Sequence, residues 1–374
     1  MLSKFSVKNF RNFSDWLHFD LLSQQYEFNE RAVNDGIVRH AMIYGPNGGG
    51  KTNLGLAMVD PVLHLVDSPS YFPSLANNYI NGGSDVSIAE FVFEFVIDGS
   101  EVVYEYGKKE WNNLVYERLS IGDKVVLQID RRQSTLGEIN LQGTEHLKKD
   151  VGDSGISLLK YIKSNSLLDE SRENTLFSKL LVFIESMVFF RSLNATNKGE
   201  YVGKDIGVKR LSQSIIDSGS VKDFEQFLNS AGIKCKLVVE TNPSASSSDN
   251  QTICFDFGRL KLEFGATAST GTLSLGIFYF WWLRLKKGEV KFAYIDEFDA
   301  FYHHALASTI VEKIIQADAQ TILSTHNTGV MSNDLLRPDC YFVLDKEILP
   351  LTQLTDKELR KAHNLEKIYK GLSS

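Results

Sequence analysis

The stretch IYGPNGGGKTNL, residues 43–54, decides how this chain is read. It fits G-x-x-x-x-G-K-[ST], with Gly45, Gly50, Lys51 and Thr52 in the fixed places. The run before it, IVRHAMIY, is short, apolar and β-branched enough for a buried strand, while NLGLAMVDPVLHLV after it has helical spacing. Strand, glycine loop and helix in that order make a phosphate cradle. Backbone N–H groups along Asn47, Gly48, Gly49 and Gly50 can turn inward with no Cβ in the way, and the following helix adds the positive end of its dipole. Lys51 would then reach the β and γ phosphates of a nucleoside triphosphate, Thr52 would ligate Mg²⁺, and Asn53 closes the loop. A glycine-rich turn capping an ordinary helix is the plainer reading, and it leaves the spacing and the flanking strand unexplained.

Outward from the loop, the 374 residues suit one large α/β domain with insertions, or two lobes. With 43% hydrophobic and 23% charged residues, the composition is that of an ordinary globular protein. The chain has no run of eighteen apolar residues, and MLSKFSVKNF lacks a signal-peptide core, so the expectation is a cytoplasmic protein with no membrane partner. Cys235, Cys254 and Cys340 lie outside metal-ligand spacing and read as buried free thiols, although strand pairing of KCKLVVE with TICFDF could bring two together. The formal charge of −7 gives no whole-chain footprint for nucleic acid.

Residues 2–8 and 16–21 read as short strands around NFRNFSD. Between about 86 and 130, SIAEFVFEFVIDGSEVVYEY and LVYERLSIGDKVVLQI alternate on both sides of tight-turn signals, predicting an antiparallel sheet inserted after the first helix. From 154 to 231 the spacing is helical, including NTLFSKLLVFIESMVFF, and TNPSASSSDNQ (241–251) reads as a loop joining two strands. The α/β pattern returns from 253. The division expected is 1–60 with the glycine loop, 61–150 as inserted antiparallel β, 151–254 as a mainly helical insertion, and 255–374 with the remaining site motifs.

VKFAYIDEFDA ends an apolar strand in Asp296 and Glu297. In a phosphoryl-transfer site the first would hold Mg²⁺ with Thr52 and the second would take the proton of an attacking water. An acidic strand end meeting solvent is the bland alternative. TILSTHNTG ends the next strand near His326, which can donate to a γ-phosphate oxygen. In EFGATASTGTLSLG, small polar residues open a helix, where Thr270 or Thr272 could simply be a cap. The aromatic run FYFWWL (278–283) would spread around a helix axis, which favours core packing over base stacking.

Taken in order, KFSVKNFRNF, YGPNGGGKTNL, STGTLSLG, YIDEFDAFYHHAL and STHNTGVMSNDLLRPDCYFV resemble ABC-type ATPase heads of the SMC, RecF and OLD-like branch. More narrowly they resemble stand-alone AAA ATP-binding proteins of bacterial anti-phage operons. The likeness covers roughly 1–60 and 255–345. It implies an α/β, ABC-ATPase-like head with a mixed sheet, an antiparallel β subdomain and a helical subdomain. It also implies ATP and Mg²⁺ as ligands and a homodimer or higher homo-oligomer closing head to tail. Ser269 and Gly271 become signature groups facing another protomer's γ-phosphate, Asp299 a residue of the dimer seam, and Arg11 an arginine near the nucleotide. The signature lacks the LSGGQ form, Tyr302, His303 and His304 replace the usual leucine, histidine and proline, and the lid-position glutamine is unassigned. With only some thirty residues after 345 and no nuclease centre among them, a separately encoded effector, a nuclease or toxin, is the implied partner in sensing phage infection. A RecF-like DNA-repair ATPase is the rival, and it finds no support in the charge.

Overall fold

Two kinds of strand sequence, alternating and continuously apolar, build two main sheets. The computed structural model describes residues 1–70, 77–191, 201–205, 211–241 and 251–372. Strands β1 (Leu2–Lys8) and β2 (Leu17–Asp20) pair antiparallel, and the small hairpin β3 (Val33–Asn34) and β4 (Ile37–Val38) leads into β5 (His40–Tyr44). The glycine loop opens α1 (Lys51–Met58), followed by α2 (Pro61–Leu65) and the two-residue β6 (Pro69–Ser70). The single helix expected over this stretch is two. Pro61 has no N–H to continue the ladder, and it restarts the helix at the first turn, where proline is tolerated.

Strands β7 (Ala89–Ile97), β8 (Ser100–Glu110), β9 (Asn113–Ile121) and β10 (Lys124–Asp130) form a meander, with β11 (Glu138–Ile139) at its edge. Asp98 and Gly99 both have positive φ, 50° and 71°, as a two-residue turn matched to strand twist requires. Along β7 the buried Ala89, Phe91, Phe93, Phe95 and Ile97 alternate with partly exposed residues, the mark of a sheet covered on one face. The sheet runs β11-β10-β9-β8-β7-β1-β2, so it takes in the N-terminal strands.

Helices α3 (Leu158–Asn165) and α4 (Arg172–Glu185) precede β12 (Met187–Arg191) and β13 (Tyr201–Lys204), and α5 (Leu211–Asp217) and α6 (Val221–Ser230) follow. MVFF, expected as helix, is therefore a strand. Helix α4 stops at Ser186, and the aromatic residues beyond it are buried in the central sheet. Strands β14 (Leu237–Thr241), β15 (Gln251–Asp256) and β16 (Lys261–Glu263) form a three-stranded sheet, and residues 242–250 of the expected loop lie outside the described residues. All three cysteines are free. Cys254 and Cys340 are buried, whereas Cys235 is only partly so.

The remaining elements are α7 (Phe264–Thr267), α8 (Thr270–Lys286), β17 (Phe292–Asp296), α9 (His304–Ile314), β18 (Gln320–Ser324), β19 (Tyr341–Leu344), β20 (Ile348–Pro350) and α10 (Leu365–Leu372). The central sheet runs β20-β19-β5-β18-β17-β12-β13-β6, with β19, β5, β18, β17 and β12 mutually parallel. Every residue of β5, β17 and β18 is buried, as strands covered on both faces must be. The FYFWWL run joins this core: the Trp281 ring stacks on Phe190 at 5.2 Å and Tyr279 lies 4.8 Å from Phe224. The fold is α/β, with a mixed sheet, an antiparallel sheet and a group of helices.

Candidate functional site

Parallel strands end together at one edge, and the loops beyond their carboxyl ends are where such sheets gather ligands. Here β5 delivers the glycine loop, β17 delivers Asp296 and Glu297, β18 leads to His326, and β12 ends in Arg191. Lys51 is 6% exposed, and its Nζ donates to the carbonyls of Gly45 at 2.9 Å and Pro46 at 3.1 Å, so the loop is wrapped around its own lysine. A Cβ at Gly45 would run into the Leu344 carbonyl. One at Gly50, where φ is +97°, would strike the Asn12 side chain. Asn12 also accepts from Asn53 Nδ2 at 2.6 Å, which ties the NFRNF turn to the loop. Asn47 and Gly48 lie exposed on the open side, with Gly49 partly covered. From β17, the Tyr294 hydroxyl donates to the Lys51 carbonyl at 2.6 Å and braces the first turn of α1.

Asp296 is 1% exposed and accepts three bonds. Thr52 Oγ1 donates to its Oδ2 at 2.8 Å, Arg191 Nε to the same oxygen at 3.0 Å, and Ser324 Oγ to Oδ1 at 2.7 Å. Glu297 follows in the left-handed region, φ 48°, with its N–H donating to Ser324 Oγ at 2.8 Å. Burial pushes the Lys51 ammonium below its usual range, against the opposing pull of Asp296 and Glu297. Burial, and then the charge of Lys51, lower His326 as well, which favours a neutral imidazole at pH 7. Burial raises the Asp299 carboxyl, whose Oδ1 accepts from Thr325 Oγ1 at 2.7 Å.

The Thr52 hydroxyl and Asp296 carboxylate are hard oxygen donors of the kind Mg²⁺ takes. Among the described residues no three His, Cys, Asp or Glu side chains are grouped to hold a metal. A divalent cation at Thr52 and Asp296 would therefore complete its shell from phosphate and water, and the donor set fits Mg²⁺.

Arg11 lies in the turn after β1, with φ 52° and its N–H on the Tyr79 carbonyl at 3.1 Å. Burial lowers its pKa first of all, and the nearby charge of Arg191 adds to that. Ser269 and Gly271 lie at the start of α8, Ser269 exposed and Gly271 partly so. Ser269 caps α8, its Oγ accepting from the Thr272 N–H at 3.3 Å, so the cap is neither Thr270 nor Thr272. Gly271 faces Phe301 of the segment after Asp299, and Ser274 Oγ meets the Tyr302 hydroxyl at 2.8 Å. The sequence reading passed over Arg191, Ser324 and Asn12. Ser324 and Asn12 stood inside quoted motifs, whereas Arg191 was a lone arginine after an apolar run whose meaning comes from its partner across the sheet.

Among solved structures, the chain is similar to an Smc head domain with an extended coiled coil bound to the C-terminal domain of ScpA, from Pyrococcus furiosus. That likeness has 14% identity, a TM-score of 0.48, and coverage of 100% of this chain and 98% of the other. An SmcHead bound to the C-winged helix domain of ScpA gives 17% identity and a TM-score of 0.46, over 93% and 96% of the two chains. The SMC head domain from Thermotoga maritima gives 14% and 0.41, over 93% and 98%. No curated protein matches the chain. Among the described residues, no helix is long and apolar enough to cross a membrane. A family model described as "AAA domain, putative AbiEii toxin, Type IV TA system" matches residues 41–332, from β5 to beyond His326, and the chain belongs to that family.

Proposed function

We propose that the chain binds ATP with Mg²⁺ at this site, hydrolyses it, and uses the nucleotide state to control a separate partner. The observation that carries the reading is the 2.8 Å bond between Thr52 and Asp296, which joins the glycine loop to the acidic strand across most of the chain's length. In this reading Lys51 and the loop N–H groups bind the phosphates, and Thr52 and Asp296 hold the cation. Mg²⁺, when bound, supplies charge neutralisation at the phosphates. Glu297, partly exposed beside the buried Asp296, takes the proton of the attacking water, and neutral His326 donates to the γ-phosphate oxygen.

Ser269, exposed at the start of α8, supports an assembly in which it completes the site of another copy. The family description names a toxin and a toxin–antitoxin system, which supports a defence setting in which ATP holds or releases a separately encoded effector. Calorimetry with ATP tests the core of the reading. Lys51→Ala should weaken binding about a hundredfold or more, because it removes the full positive charge aimed at the β and γ phosphates. Undiminished binding by that variant would show that the loop is not the nucleotide site.

A further inference from the structure

Asp296 is a nearly inaccessible carboxylate, and a charge so placed is costly unless another charge answers it. Lys51 is directed elsewhere, onto the Gly45 and Pro46 carbonyls. The cation paired with Asp296 is Arg191. Parallel pairing of β12 with β17 sets Arg191 directly opposite Asp296, so both side chains project from the same face at the same level. The bond runs from Nε to Oδ2, the oxygen that also accepts from Thr52. The two ends of the pair differ in exposure, with the Asp296 side chain at 1% and that of Arg191 at 37%. One partner is fixed in the core, and the other has a path to solvent.

We propose that Arg191 is an exchangeable counter-ion of Asp296, holding the carboxylate when no cation is bound and yielding Oδ2 when a divalent cation is bound with nucleotide. The inference rests on the nucleotide-site reading above. A cation ligated by Thr52 and Asp296 needs the lone pairs of Oδ2 that Arg191 and the Thr52 hydroxyl now use. Thr52 can keep its place by turning its hydroxyl proton away, because an oxygen both donates and accepts. A guanidinium only donates, and must leave. Nearby Arg11 raises the cost of keeping Arg191 in place once a further positive charge arrives. Arg191 is thus a positioning residue that sets how much free Mg²⁺ the site requires, and its release would couple cation binding to the end of β12.

The test is a Mg²⁺ titration of binding of the non-hydrolysable analogue AMP-PNP by calorimetry, for wild type, Arg191→Lys and Arg191→Gln. Removing the competing charge in Arg191→Gln should lower the half-saturating Mg²⁺ concentration on the order of tenfold. Arg191→Lys keeps a charge but loses the planar Nε donor, and should fall between, about two- to threefold below wild type. Should Arg191→Gln not fold, the Arg191→Lys comparison decides alone. A merely structural ion pair would lower the melting temperature of these variants and leave the Mg²⁺ requirement unchanged. An unchanged or raised requirement, with wild type binding normally, overturns the exchange and leaves the nucleotide site standing. Failure of wild type to bind the analogue at any Mg²⁺ concentration overturns both.

Discussion

At the residue scale, the site is built from side chains whose ordinary chemistry is bent by burial, and the clearest case is a bystander. His40 on β5 is wholly buried, with Nδ1 2.7 Å from Thr321 Oγ1, and burial pushes its pKa down to about 3 from 6.5. Between those values the unfolded chain binds a proton that the folded chain refuses. The stabilising contribution is therefore complete above pH 6.5 and is lost as the pH falls toward 3, at up to about 1.4 kcal/mol per pH unit. His40→Gln should cost about 1 kcal/mol at pH 8 through its altered bond to Thr321, and should flatten the acid slope between pH 6.5 and 5. Urea unfolding across that range measures both, and an unchanged slope would mean that another group carries the acid sensitivity. The candidate ligands read from the motifs are gathered unevenly. Lys51, Thr52, Asp296 and Glu297 were legible because strand ends and glycine spacing announce them, and these four lie together. Arg191 was not legible, because nothing in MVFFR distinguishes a solvated arginine from one aimed at a carboxylate 105 residues away.

At the scale of elements, tight turns and the antiparallel strands they join were readable, and the membership of β12 in the central sheet was not. Asp98-Gly99 and Gly122-Asp123 announce their hairpins through the backbone they require. By contrast, β12 continues the apolar run of α4, and its partner β17 lies about a hundred residues on, beyond any local pattern. The joint between α2 and the antiparallel sheet was equally hidden. There Asp60, just before α2, accepts from Tyr79 OH at 2.8 Å, Tyr106 OH at 2.8 Å and Lys108 Nζ at 2.6 Å, with Asp60 and Lys108 both wholly or nearly wholly buried. Because the Tyr79 carbonyl also holds Arg11, this cluster connects the end of the first helix to the turn beside the glycine loop. Lys108→Met leaves a buried carboxylate without its counter-charge and should cost about 3–5 kcal/mol of stability. The double variant with Asp60→Asn should recover part of that loss, since no full charge is then buried alone. Equilibrium denaturation of the single and double variants checks it, and a purely additive pair would show that the two residues do not interact.

At the scale of the whole molecule, the proposed function divides the nucleotide site between two copies of the chain. In that proposal the glycine loop, Asp296 and Glu297, joined by the Thr52–Asp296 bond, form one half, and Ser269 and Gly271, beside the Phe301 segment, would supply the other. If two copies complete each other, chemistry and assembly can be separated at Glu297. The amide of Glu297→Gln keeps the side chain's size but cannot accept the water's proton, so hydrolysis should fall by about 10²–10⁴-fold while ATP affinity, which rests on Lys51, Thr52 and Asp296, survives. ATP should then accumulate in a closed assembly, seen by mass photometry as an ATP-dependent, long-lived dimer or larger species. Asp296→Asn should behave differently, because a weakened cation site undermines the ATP-closed state itself. Full turnover by Glu297→Gln would place the base elsewhere. Lost turnover without a stabilised assembly would separate hydrolysis from closure, and Ser269 would then be what its geometry within one chain makes it, the cap of α8.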